Sequence, residues 1–203
     1  MFLKNDSKNF EKGATLIEIV VALVIIAIFS LIVINDFPKI KKQFALSRAA
    51  YKLSQDIRRA EDYGFSGVRI IGSGGAVVDA DGYGLYVNKL INDRQYIIYA
   101  DTDGNGDKKF TEGTIVQCSQ TIPAGSDCII ETINIEESDT DVYIKRIDSV
   151  NDLSINFTPP NPTVTITPGS NPVAIIGIVL GLGSDNSLER IVYINSTGLV
   201  YVE

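Results

Sequence analysis

A chain of 203 residues has room for one ordinary domain and a membrane segment, and a composition of 45% hydrophobic and 21% charged residues excludes a disordered chain. The formal net charge is −7, and residues 1–35 contribute nothing to it, because Lys4, Lys8 and Lys12 balance Asp6, Glu11 and Glu18. The acidic total therefore sits on residues 36–203 and argues against a nucleic-acid-binding head, while the absence of histidine removes the commonest general base and metal ligand.

Residues 1–13 are short, polar and weakly basic and end in Gly13. The apolar run at 14–34 matches the about 20 residues that a spanning helix needs. No small-residue cleavage site follows Ile34, where the sequence reads NDFPKIKK. The cleavage candidate lies ahead of the run, at Gly13, so a cut would remove the leader and keep the apolar segment. Glu18 stands near the start of the run, where a carboxylate is expensive in hydrocarbon and requires a partner. Lys39, Lys41 and Lys42 follow the run, but the leader's lysines compete with them, so charge alone does not set the orientation.

Helical spacing resumes after Pro38. Phe44, Leu46, Ala49, Ala50, Leu53, Ile57 and Ala60 recur at steps of three and four, with Lys52, Gln55, Asp56, Arg59 and Asp62 on the other face. The pattern predicts one long helix over 14–63, bent or locally unwound at Pro38. From Gly67 onward the texture is that of strands separated by Gly, Asp, Asn and Pro turns. Strands are predicted at 68–71, 84–88, 95–100, 114–118, 128–135, 142–147, 153–157, 163–167, 173–180, 190–195 and 199–202. The prolines of PPNP, with Pro168 and Pro172, point to tight connections around an edge strand. The fold class expected is α+β: a long N-terminal apolar and amphipathic helix packed on a C-terminal antiparallel head. The divisions expected are 1–13, 14–64 and 65–203.

The segment Asp101-Thr102-Asp103-Gly104-Asn105-Gly106-Asp107-Lys108-Lys109-Phe110-Thr111-Glu112 fits the calcium-loop pattern D-x-[DN]-x-[DN]-G-x5-E. Asp101, Asp103 and Asn105 would give side-chain oxygens, Asp107 its carbonyl and Glu112 a bidentate carboxylate. The flanks are strand-like rather than helical, so the alternative is an acidic, Gly-rich turn between two strands. Calcium, if held, would be structural, ordering the loop before Cys118. Cys118 and Cys128 are either a disulfide, favoured by an exported head, or two free thiols in a hairpin. Enzyme signatures are missing: there is no histidine, no G-x-S-x-G elbow and no phosphate loop, and Asp79 and Asp81 read as a solvated turn.

Gly13-Ala14-Thr15-Leu16-Ile17-Glu18, followed by an apolar helix, resembles the prepilin signature of type IV pilins and type II secretion pseudopilins. The resemblance implies a cut after Gly13 by a membrane prepilin peptidase and methylation of Ala14 as the new N-terminus. The family usually has Phe where this chain has Ala14. The resemblance also implies that Glu18 meets the N-terminal amine of a neighbouring subunit in a filament. Partners would be the peptidase, other pilin subunits and the assembly platform. The helix would cross the inner or cytoplasmic membrane once, with the head periplasmic or extracellular. The segments at 47–64, 96–113 and 190–203 look like those of minor pilins and pseudopilins of the fimbrial-T and secretion-H type. Some such relatives carry a basic tail linked to DNA uptake, whereas this chain has no basic residue after Arg190. Two other functions fit the same residues: a filament-tip subunit that captures DNA or a surface ligand, and an anchored calcium-binding domain that never polymerises.

Overall fold

The apolar run and the amphipathic stretch beyond it fold as one helix, α1 (Leu16–Ser66, 51 residues). The computed structural model describes residues 15–75, 77–111, 116–135, 141–148, 150–160, 163–183 and 185–203. By its internal contacts the chain divides into two units, Met1–Lys41 and Lys42–Glu203. Gly13, Ala14 and Glu112 lie outside the described residues, as do the first two positions of the strand predicted at 114–118.

In the first unit, α1 is long and apolar enough to cross a membrane, and its large apolar side chains from Leu16 to Ile34 are all exposed. Ser30, the one hydroxyl in the stretch, donates to the Ile26 carbonyl at 2.8 Å, so it carries no free polar group into the apolar run. The unwinding expected at Pro38 does not occur, and the helix runs through it. A proline removes one amide donor, and the turns on either side keep theirs. Asp36 pairs with Lys39 at 3.8 Å, and the Lys41 ammonium lies over the Phe37 ring.

In the second unit, α1 buries Ala45, Leu46, Ala49, Ala50, Leu53, Ile57 and Ala60. The alanines let the helix backbone approach its neighbours closely. Phe44, expected on this face, is 70% exposed. At 3.6 residues per turn it lies half a turn round from Leu53, so it cannot share that stripe. Asp56, expected in solvent, is only 7% exposed. The Tyr96 hydroxyl donates to its Oδ2 at 2.6 Å, and Arg59 faces its Oδ1 at 3.5 Å while bonding Glu131 at 2.6 Å.

Among the described residues, three antiparallel sheets complete this unit. A short ribbon pairs β1 (Ile70–Ile71) with β2 (Val77–Val78), a strand too short for alternation to reveal. A five-stranded sheet is built from β3 (Gly82–Asn88), β4 (Gln95–Asp101), β5 (Cys128–Asn134), β7 (Asp152–Thr158) and β8 (Thr163–Pro168), in the order β5-β4-β3-β7-β8. β8, flanked by the prolines, is an edge strand as expected. A four-stranded sheet takes β6 (Val142–Ile147), β9 (Ile175–Leu182), β10 (Asp185–Asn195) and β11 (Val200–Val202) in the order β11-β10-β9-β6. One core cluster joins the buried face of α1 to Leu85, Ile98 and Phe157 of the larger sheet and to Ile144, Ile178 and Val192 of the smaller. The Arg58 guanidinium adds a bond to the Val200 carbonyl at 3.1 Å, tying α1 to β11. The fold is thus α+β, with the helix on antiparallel sheets as predicted.

The outer face of the five-stranded sheet is also covered. Tyr86, Ile97, Tyr99 and Ile129 form a second layer beneath Phe110. Gly84 makes the layer possible: a Cβ there would meet the Tyr99 ring at 2.6 Å and collide with the Ile155 carbonyl.

Candidate functional site

The start of α1 is a reciprocal cap. The Thr15 amide donates to Glu18 Oε2 at 2.7 Å, the Thr15 hydroxyl donates to the same oxygen at 3.0 Å, and the Glu18 amide donates to Thr15 Oγ1 at 3.4 Å. Thr-x-x-Glu in this arrangement is a capping box, which satisfies amides that the first turn leaves without helical partners. A negative charge at this end also opposes the helix dipole favourably. Glu18 therefore has a partner within its own chain. The pattern Thr15-Leu16-Ile17-Glu18 ahead of an apolar run is legible in the sequence, and Thr15 is the residue that sequence reasoning missed there.

The acidic loop leaves β4 at Asp101 and folds back over the outer face of the five-stranded sheet. Phe110 pins it, with ring centroids 4.8 Å from Tyr86 and 5.2 Å from Tyr99. Its backbone is held by a succession of side chains each turned on an amide two residues ahead. Asp103 Oδ1 accepts from the Asn105 amide, Asn105 Oδ1 from the Asp107 amide and Asp107 Oδ1 from the Lys109 amide. Such Asx bonds suit a tight polar turn.

Below the loop lies a buried polar layer. The Tyr99 hydroxyl and Ser154 Oγ are 2.7 Å apart, and Ser154 Oγ accepts the Phe110 amide at 3.0 Å. Asn156 Nδ2 donates to the Tyr99 hydroxyl at 3.3 Å and to Asp101 Oδ2 at 3.2 Å. Asp101 is 0% exposed and Asp127 2% exposed. Asp127 grips both ends of the loop: its Oδ1 accepts from the amides of Thr102 at 2.9 Å and Asp103 at 3.3 Å, and its Oδ2 from that of Thr111 at 2.7 Å.

Asp101, Asp103 and Asp127 each bring a carboxylate oxygen within 4.8 Å of the other two. Asn105 and Asp107 sit in the exposed outer part of the loop. Burial, then the charge of Asp127 and of the neighbouring acids, pushes Asp101 up to about 8. Burial raises Asp127 to about 6, against the amide bonds from Thr111 and Thr102 that favour its charge. A set of close carboxylates is suited to a hard cation and lacks the imidazole or thiolate that softer metals prefer. Asp127 was missed from the sequence because no linear pattern reaches it. Cys128, beside it, is disulfide-bonded to Cys118 with a Cα–Cα distance of 4.9 Å.

A family model described as the prokaryotic N-terminal methylation motif matches residues 8–34. The chain carries the type IV pilin and pseudopilin signature. Comparison with curated proteins and with solved structures finds no match for the chain. The signature covers the Gly13 candidate, the capping box and the apolar segment to Ile34, and leaves the head outside it. A pilin-type motif of this kind implies processing by a prepilin peptidase and assembly with other pilins. The exposed apolar helix fits a membrane-anchored pilin.

Proposed function

We propose that the protein is a minor pilin or pseudopilin, a filament subunit whose work is assembly rather than catalysis. It is made as a precursor, cut after Gly13 by the prepilin peptidase and methylated on Ala14. The helix holds it in the inner or cytoplasmic membrane with the head on the outer side. It then joins other subunits on the assembly platform.

The observation that carries this reading is the apolar surface of α1 from Leu16 to Ile34, exposed all round, behind a Glu-bearing cap. An apolar surface of that extent needs cover. Lipid covers it before assembly, and the helices of neighbouring subunits cover it afterwards. The Glu18 carboxylate, held at the helix start by Thr15, is then available to the amine of a neighbour's Ala14. In a dry bundle each charge would otherwise be unpaired, so the pair favours one axial register between subunits.

Mass spectrometry of the membrane-extracted protein tests the processing. The expected chain begins at Ala14 and carries one methyl group; a chain beginning at Met1 in cells with an active peptidase overturns the reading. Glu18→Ala is expected to be processed but to be largely missing from sheared filaments. Normal incorporation of that variant would refute the charge-pair role.

A further inference from the structure

The filament reading uses the helix and leaves the acidic loop without a task. Asp101 closes β4 fully buried, with Oδ2 engaged by Asn156. Among the described residues its Oδ1 has no hydrogen-bond partner. A buried carboxylate oxygen without a donor is costly, and two further carboxylates each bring an oxygen within 4.8 Å of the Asp101 carboxylate. Hydrogen bonds resolve the arrangement only where Asp101 holds a proton; with all three ionised they do not, since an ionised carboxylate only accepts. A cation placed among the three does.

We propose that Asp101, Asp103 and Asp127 form a structural calcium site that fastens the 102–111 loop to the start of β5. The donors are all hard oxygens. The chain has no histidine and both cysteines are bonded to each other, so neither nitrogen nor thiolate is on offer to a softer metal. Calcium takes about 6–8 oxygens in flexible geometry, whereas magnesium demands a near-ideal octahedron and keeps several waters. Three carboxylates on a loop and a strand end, with loop oxygens and water for the remaining positions, suit the first.

The site differs from the linear loop pattern in one testable respect. Asn105 and Asp107 stand in the exposed outer part of the loop, while Asp127, outside the linear pattern, enters as the residue before β5. The pairing of β4 with β5 brings it there: Ala100 lies opposite Cys128, so the next residues along, Asp101 and Asp127, meet at the strand ends.

The test is thermal unfolding of the full chain in detergent at neutral pH, with calcium chloride or EGTA. Calcium about a hundredfold above its dissociation constant is expected to raise the melting midpoint by about 5–10 °C. Magnesium at the same concentration is expected to do less. Asp101→Asn is expected to abolish the calcium shift and to leave the midpoint in EGTA within about 2 °C of the wild type, because the isosteric amide supplies a donor where the protonated carboxyl did. A lost calcium shift with the EGTA midpoint retained separates a ligand from a merely structural residue, whose loss would lower the midpoint. Asp103→Asn is expected to weaken calcium binding at least about tenfold in a calorimetric titration, and Asp107→Asn to leave it within about twofold. The proposal is overturned if wild-type protein shows no calcium shift, if Asp101→Asn shifts as the wild type does, if magnesium is the stronger stabiliser, or if Asp107→Asn loses binding.

Discussion

Asp56 illustrates how a polar residue on a helix comes to be buried at tolerable cost. Its carboxylate lies on the packed side of α1 and meets the Tyr96 hydroxyl at 2.6 Å and the Arg59 guanidinium at 3.5 Å. Burial and the Asp56 charge push the Tyr96 phenol up, which keeps it a donor. Tyr96→Phe removes that donor while keeping the ring. It should lower unfolding stability by about 1.5–3 kcal/mol, measured by chemical denaturation of the full chain in detergent. Asp101 yields a second expectation at this scale. Folding raises it from the ordinary 3.8 to about 8, so its neutral form is the one the fold favours. That contribution is complete below about pH 4 and is lost as pH rises through about 8. Asp127, raised to about 6, acts in the same direction over a lower range. Protein kept in EGTA should therefore melt at a lower temperature at pH 9 than at pH 6. A midpoint that climbs over that interval would contradict the sign.

Two elements carry the function proposed, and each is organised at its end. α1 begins in the Thr15–Glu18 box, which fixes where the helix starts and where the carboxylate stands. Thr15→Ala removes one half of the box, and its expected effect is slower incorporation into filaments with processing unchanged, read by immunoblot of sheared and membrane fractions. β5 begins at Cys128, next to Asp127, and the disulfide to Cys118 holds that end. The 116–118 segment adds backbone bonds on the same side, from the Ile129 amide to the Val116 carbonyl at 2.8 Å and from the Cys118 amide to the Ile129 carbonyl at 3.0 Å. A thiol-blocking assay without reductant should find both cysteines protected. Reduction should lower the stability of the head by about 2–5 kcal/mol and weaken the calcium response, because Asp127 loses its anchorage.

For the molecule as a whole, local pattern was informative wherever one element decides its own state. The apolar run, the steps of three and four beyond Pro38 and the alternation from Gly67 predicted a helix followed by antiparallel strands, and those are present with boundaries shifted by a few residues, except that the described part of the strand predicted at 114–118 forms only an isolated bridge, Gln117 with Ile129. Among the described residues, β2, two residues long, had no periodicity to read. The prepilin-type signature was legible because the polar stretch, glycine, glutamate and apolar run are contiguous, so no folding is needed to bring them together. The sequence alone thus determined the fold class and the N-terminal signature. Only the tertiary structure decided which distant groups meet: Asp56 with Tyr96, Phe110 over Tyr86 and Tyr99, and Asp127 beside Asp101. The physical reason is that secondary structure follows from periodicity within a segment, whereas burial depends on the phase of a helix against its sheets and on the register between strands. Ala100 opposite Cys128 is such a register, and a slip by one residue would turn Asp127 away from the loop it holds.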